Sequence, residues 1–160
     1  MRTFPKIALA AAAAWLAAAA ALSAQPSDPS ALVPCAFALS EIAEAMGVEL
    51  QHGDLADMTT PVGRDVGCLY SSKATDFVFG VRQTWDRTRP PGKPPAKAMP
   101  GHRALPGDPD GAVYTADAAN GSSGELVYVR GKVQTRVFWH GGNLADADGL
   151  QRLLHLRRVP

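Results

Sequence analysis

Glu125-Leu126-Val127-Tyr128-Val129-Arg130-Gly131-Lys132-Val133-Gln134-Thr135-Arg136-Val137-Phe138-Trp139-His140 reads as a complete β-hairpin. Arg130-Gly131-Lys132 is a tight turn between two runs rich in β-branched and aromatic residues. On the returning run Val133, Thr135, Val137 and Trp139 share one face, and Gln134, Arg136, Phe138 and His140 share the other. That period of two predicts a strand with one buried side. Upstream, Phe77, Phe79, Val81, Gln83 and Trp85 alternate in the same way with Val78, Gly80, Arg82 and Thr84. Asp65 to Ser71, across the turn Lys73-Ala74-Thr75-Asp76, supplies its hairpin partner. Ala112 to Thr115 is a further short strand. Val48 to His52 is compatible with another, and Gly53 to Gly63 reads mainly as loop.

Two segments carry helical spacing instead. Leu39, Ile42, Ala43 and Met46 form an apolar stripe, with Ser40 as expected N-cap, Glu41 in the first turn and Gly47 as terminator. Near the end, Asn143 caps an expected helix from Leu144 to about Leu156, its apolar face made by Ala147, Leu150, Leu153 and Leu154. Arg152, His155, Arg157 and Arg158 sit where cations suit the helix dipole. Short connections and alternating faces predict an α+β fold: an antiparallel sheet of about five strands, with a short N-terminal and a C-terminal helix on one face.

Residues 1–24 have the three parts of a secretory signal peptide: basic Arg2 and Lys6, an uncharged alanine-dominated run from Ile7 to Leu22, and the small-residue site Ala21-Leu22-Ser23-Ala24. The run is short of the ~20 residues a spanning helix needs, so no membrane span is expected once the signal is removed. Residues 25–34, with Pro26 and Pro29, form an extended lead-in, and 35–160 a single domain. Without Arg2 and Lys6 the 16 basic residues fall to 14 against 15 acidic ones, a net charge of −1. Nothing in that balance suggests a nucleic-acid or anionic-membrane surface, and no nucleic-acid partner is expected. Export to the periplasm or beyond favours oxidised cysteines. With only two cysteines, Cys35–Cys68 is the one internal pairing. A redox role would suit Cys-x-x-Cys spacing better than this wide separation.

Residues 86–110 break the pattern, with seven prolines from Pro90 to Pro109 and basic Arg87, Arg89, Lys93, Lys97, His102 and Arg103. Such a long loop is either a solvated connection between halves of the sheet or a partner-binding segment in polyproline form.

Pro34-Cys35 before a short helix ending at Gly47, then Cys68-Leu69-Tyr70 opening a strand, resembles a family of small exported proteins of unassigned function, many of them lipoproteins. Gly101-His102-Arg103-Ala104 ahead of the strand at Val113, and the hairpin Leu126 to Lys132 followed by a terminal helix, agree with it. The resemblance implies an α+β domain with the two cysteines bonded, and it supplies no catalytic residues. The chain departs from the family in lacking a lipid-attachment cysteine directly after the signal, which argues against a membrane-tethered form.

The four histidines, His52, His102, His140 and His155, form no metal-binding motif. His140-Gly141-Gly142 resembles the start of an esterase oxyanion loop, but Gly121-Ser122-Ser123-Gly124 lacks nucleophile-elbow spacing. Asp108-Pro109-Asp110-Gly111 reads as turn chemistry and Asp146-Ala147-Asp148-Gly149 as helix surface, neither as a calcium loop. No cofactor, metal or catalytic set is expected. The functional expectation is an exported, non-enzymatic domain binding a protein or envelope component. Its contact would be the proline-rich loop, with Trp85 and Arg87 at the root and Arg89, Lys93, Lys97, His102 and Arg103 along it. The alternative is a small-molecule carrier whose pocket, between sheet and helices, is lined by Phe77, Phe79, Trp85, Tyr128, Phe138 and Trp139. A hydrolase using His102 or His140 is a third class.

Overall fold

The computed structural model describes residues 32–91, 101–116, 122–141, 152, 155, 156, 158 and 159. The expected signal segment and most of the lead-in lie outside the described residues, as do Lys93 and Lys97. The elements are α1 (Leu39–Met46), β1 (Gln51–Thr60), β2 (Gly63–Ser71), β3 (Val78–Asp86), β4 (Arg103–Ala104), β5 (Val113–Ala116), β6 (Ser123–Arg130) and β7 (Val133–His140). All seven strands join one sheet in the order β1-β2-β3-β7-β6-β5-β4, and every neighbouring pair is antiparallel. Two meanders therefore meet at the β3–β7 seam. The proline-rich segment is the connection that carries the chain from β3, in the middle, to β4 at the far edge.

This overturns the expected α+β class with about five strands and a C-terminal helix. The fold is sheet-rich, with one short helix among the described residues. Two stretches expected to be loop, residues 53–60 and 103–104, are strands held by main-chain pairing to β2 and β5 rather than by burial. Of the expected terminal helix, residues 144–151 lie outside the described residues. At its end Leu156 N–H donates to Arg152 C=O at 3.0 Å.

Cross-strand register puts one side chain from each central strand into successive rows on the inner face. Tyr70, Phe79 and Trp139 form one row, Cys68, Val81, Val137 and Leu126 the next, and Val66, Gln83, Thr135 and Tyr128 a third. These positions are buried, as the alternation on β3 and β7 requires. α1 covers the first rows with Ile42 and Met46, while Phe37, Leu105, Ala112, Leu156 and Val159 complete the core. Leu32 closes the other end against Val66, Val133 and Trp85.

α1 begins at Leu39 with Ala38 as N-cap and no side-chain cap bond, so Ser40 lies inside the first turn instead of capping it. The start is set by a tertiary contact: the Tyr70 hydroxyl donates to Phe37 C=O at 3.1 Å and fixes the chain just before the helix. Gly47 ends it in the left-handed region, φ 69°, where a residue without Cβ is unstrained. The expected disulfide Cys35–Cys68 is present and ties the start of this segment to β2.

Candidate functional site

Ten consecutive residues of β1 are exposed. β1 is the edge of the sheet, so one row of its N–H and C=O groups faces no strand. Long, open edges of this kind are templates for pairing with another chain. Leu55, Met58 and Val62 are exposed by 60%, 57% and 60%, which keeps apolar side chains in water along the same edge.

The strand is not regular. His52 pairs with Tyr70 but Leu55 with Cys68, so three residues of β1 span two of β2. That one-residue bulge sets His52 and Leu55 on the same, inner side of the sheet. It brings the His52 ring to 5.4 Å from the Tyr70 ring. Both cysteine Sγ atoms and a ring nitrogen of His52 lie within 4.8 Å of one another.

On the outer side, Ala56 faces Gly67 in register. Two small residues side by side leave a trough, walled by Met58, Leu69 and Phe138 and by Arg82 and Asp65, with a volume of about 390 Å³. A second hollow of about 360 Å³ shares Met58 and Asp65 and runs on past Val62, Thr84 and Trp85 to Thr88. Together they make one groove along the outer face of β1, β2 and β3.

Ion pairs flank it. Arg64 donates to both Asp57 oxygens, at 3.0 and 2.7 Å, and these bonds hold the Asp57 carboxyl below its ordinary value. Arg82 forks onto Asp65 in the same way, with Nε 2.9 Å from Oδ1, and the pair raises the Arg82 guanidinium's own value. Both pairs neutralise themselves. At the loop root, Asp86 accepts from Thr88 N–H at 2.8 Å and from its hydroxyl at 2.7 Å, which lowers Asp86 as well.

Of the residues expected to bind a partner, the described ones each have contacts of their own. Trp85 packs on Leu32, Val66 and Val133. Arg87 is tied by its main chain, donating to Val62 C=O at 2.9 Å and accepting from Lys132 Nζ at 2.9 Å. Arg89 Nη1 donates to Gln134 Oε1 at 2.7 Å. His102 has a side chain only 5% exposed and lies 2.9 Å from Glu125 Oε1, whose other oxygen takes Arg136 at 2.9 Å. Arg103 lies over the Tyr114 ring, 5.2 Å from its centre.

Four of the six aromatics expected to line a carrier pocket lie in the core. Phe37, Tyr70 and Phe79 pack ring against ring between α1 and the sheet, and Phe77, Tyr128 and Trp139 are buried with them. Of the six aromatics, Phe138 and Trp85 line the groove. His140 Nδ1 lies 2.6 Å from Ser123 Oγ across the end of β6 and β7. No carboxylate among the described residues bonds the other nitrogen of that ring, the partner a Ser–His dyad uses for orientation.

The sequence predicts a strand only up to His52 and mainly loop over 53–63, so most of the β1 edge is not foreseen. The available signal pointed away from a strand: Leu55, Met58 and Val62 stand at i, i+3 and i+7, a helical spacing that Pro61 interrupts, not at the period of two. No protein-family model, curated protein or solved structure matches the chain. Among the described residues no helix is long and apolar enough to cross a membrane.

Proposed function

We propose that this chain is an exported, non-enzymatic binding module that takes an extended segment of a partner protein along the open edge of β1. The observation that carries this reading is the ten-residue strand exposed at every position, with Leu55 and Met58 more than half in water. An added strand would take its main-chain bonds from the unpaired edge, and apolar side chains at alternate positions would enter the groove beside Met58, Leu69 and Phe138. Main-chain pairing supplies affinity and the groove supplies selection. The disulfide fits an oxidising compartment, in keeping with secretion or a periplasmic location.

The test is a photo-crosslinking amino acid placed at Thr59 on the β1 edge, and separately at Ala104 on β4, the opposite edge of the sheet, in cells of the source organism. A partner captured from Thr59 and not from Ala104, and lost in Met58→Lys, is the expected result. Equal capture from both positions defeats the edge reading. Capture that vanishes when residues 89–99 are deleted, while Met58→Lys leaves it unchanged, returns the contact to the proline-rich loop. A crosslinked band at twice the chain's mass replaces the foreign segment by a second copy.

A further inference from the structure

Cys35, Cys68 and His52 come from three separate segments: the turn before α1, the middle of β2, and the edge strand. The bulge in β1 is what turns His52 toward the inner side, and the Tyr70 ring, 5.4 Å away, backs its imidazole. The three ligand atoms lie within 4.8 Å of one another. Around a tetrahedral zinc ion, with bonds of roughly 2.0–2.3 Å, ligand atoms stand roughly 3.4–3.8 Å apart. The His52 nitrogen thus already lies within 4.8 Å of both sulfurs, and the sulfurs, now bonded to each other, must part to reach that spacing. Cys35 also sits at φ 53°, a left-handed conformation uncommon for a residue with a Cβ. His52 is exposed and Cys35 partly so, so an ion has a path in from solvent.

We propose that the reduced chain binds one borderline-soft divalent cation of the zinc class through Cys35 Sγ, Cys68 Sγ and a His52 ring nitrogen, and that the disulfide and the metal-bound form exclude each other. The exchange balances as follows. A dithiol reductant gives two electrons and two protons to the Cys35–Cys68 bond and itself closes to a disulfide. The two thiols then release their protons on binding the cation as thiolates. The neutral imidazole is the third ligand, and water fills the fourth position, as in zinc sites that stay open. Oxidation would reverse the sequence, expelling the ion as the sulfurs rejoin.

The test titrates Co²⁺, then Zn²⁺, into the full chain held reduced by a phosphine, with far-ultraviolet circular dichroism following the sheet. One Co²⁺ per chain is expected, with the intense thiolate-to-cobalt charge-transfer band and visible bands of a tetrahedral site, all displaced by Zn²⁺. His52→Ala alters an exposed side chain, so its fold should hold, and it should weaken binding by about tenfold or more. The oxidised chain should show neither band. Absence of the charge-transfer band in the reduced chain, an identical spectrum and affinity in His52→Ala, or equal binding by the oxidised chain would each overturn the proposal.

Discussion

Phe138 and Trp139 are neighbours on β7 and point to opposite faces, and each lies over a glycine of the adjoining strand. Phe138 pairs with Gly80 on β3, and Trp139 with Gly124 on β6. A Cβ on Gly80 would run into the Phe138 ring, and one on Gly124 into both Trp139 and the main-chain oxygen of Thr115. The glycines are thus seats for aromatic rings on the two sides of one sheet, and the strand propensity they lack is made good by the ring above them. Gly80→Ala is expected to lower stability by roughly 1–3 kcal/mol, the usual range for overpacking a filled site. Urea unfolding measures it, and Gly80→Ala in a Phe138→Ala background should cost less than in the wild type because the clash is gone. Strictly additive costs would show that ring and glycine do not interact.

At the scale of elements, burial decided what could be read. β3 and β7 were legible because one face of each is in the core, so Phe79, Val81, Val137 and Trp139 repeat with period two. β1 has no buried face, so selection left no alternation in Gln51 to Thr60, and the bulge at residues 53–54 would have broken any that existed. β4 is two residues long and exists only through its pairing with Tyr114 and Val113. α1 was legible from Ile42, Met46 and Gly47, yet its first residue was set by the Tyr70 bond to Phe37, which no local pattern records. The groove depended on Ala56 meeting Gly67, a matter of register alone. The disulfide needed only a count of cysteines. It fastens the segment before α1 to β2 across 33 residues. Closing a loop of that size stabilises by roughly 3–4 kcal/mol in the chain-entropy model. Cys35→Ala should therefore lower the denaturant midpoint strongly, and a reductant should do the same to the wild type. Equal midpoints for oxidised and reduced protein would show that the bond does not hold the fold.

The molecule as a whole is closed by its last described residues, which reach back to a loop and to a strand far away in sequence. Val159 is buried, and its N–H donates to the Tyr128 hydroxyl at 3.1 Å; burial foremost pushes that hydroxyl up to about 12. Beside it, Arg158 pairs with Asp108, whose side chain is fully buried. Asp108 also accepts from Asp110 N–H at 2.9 Å and Ala112 N–H at 3.0 Å, so one carboxylate holds both the 108–112 turn and the tail. Burial alone pushes the Asp108 carboxyl up. The Arg158 guanidinium and the two N–H groups outweigh it and leave the group below its ordinary 3.8. A carboxyl lowered in the folded state binds its proton first in the unfolded chain. Its stabilisation is full above the ordinary value and is lost as pH falls below it toward the folded value. Arg158→Ala leaves a buried carboxylate without its cation and should cost about 3–5 kcal/mol. Asp108→Asn keeps an oxygen for the turn but drops the charge, so the double variant should cost less than the two singles together. Urea midpoints taken between pH 6 and pH 3 separate the contributions. The wild type should weaken on acidification, and Asp108→Asn should weaken less steeply because the titrating group is gone. An acid slope in Asp108→Asn equal to the wild type's would assign acid sensitivity to another carboxylate and reduce the tail contact to packing by Leu156 and Val159.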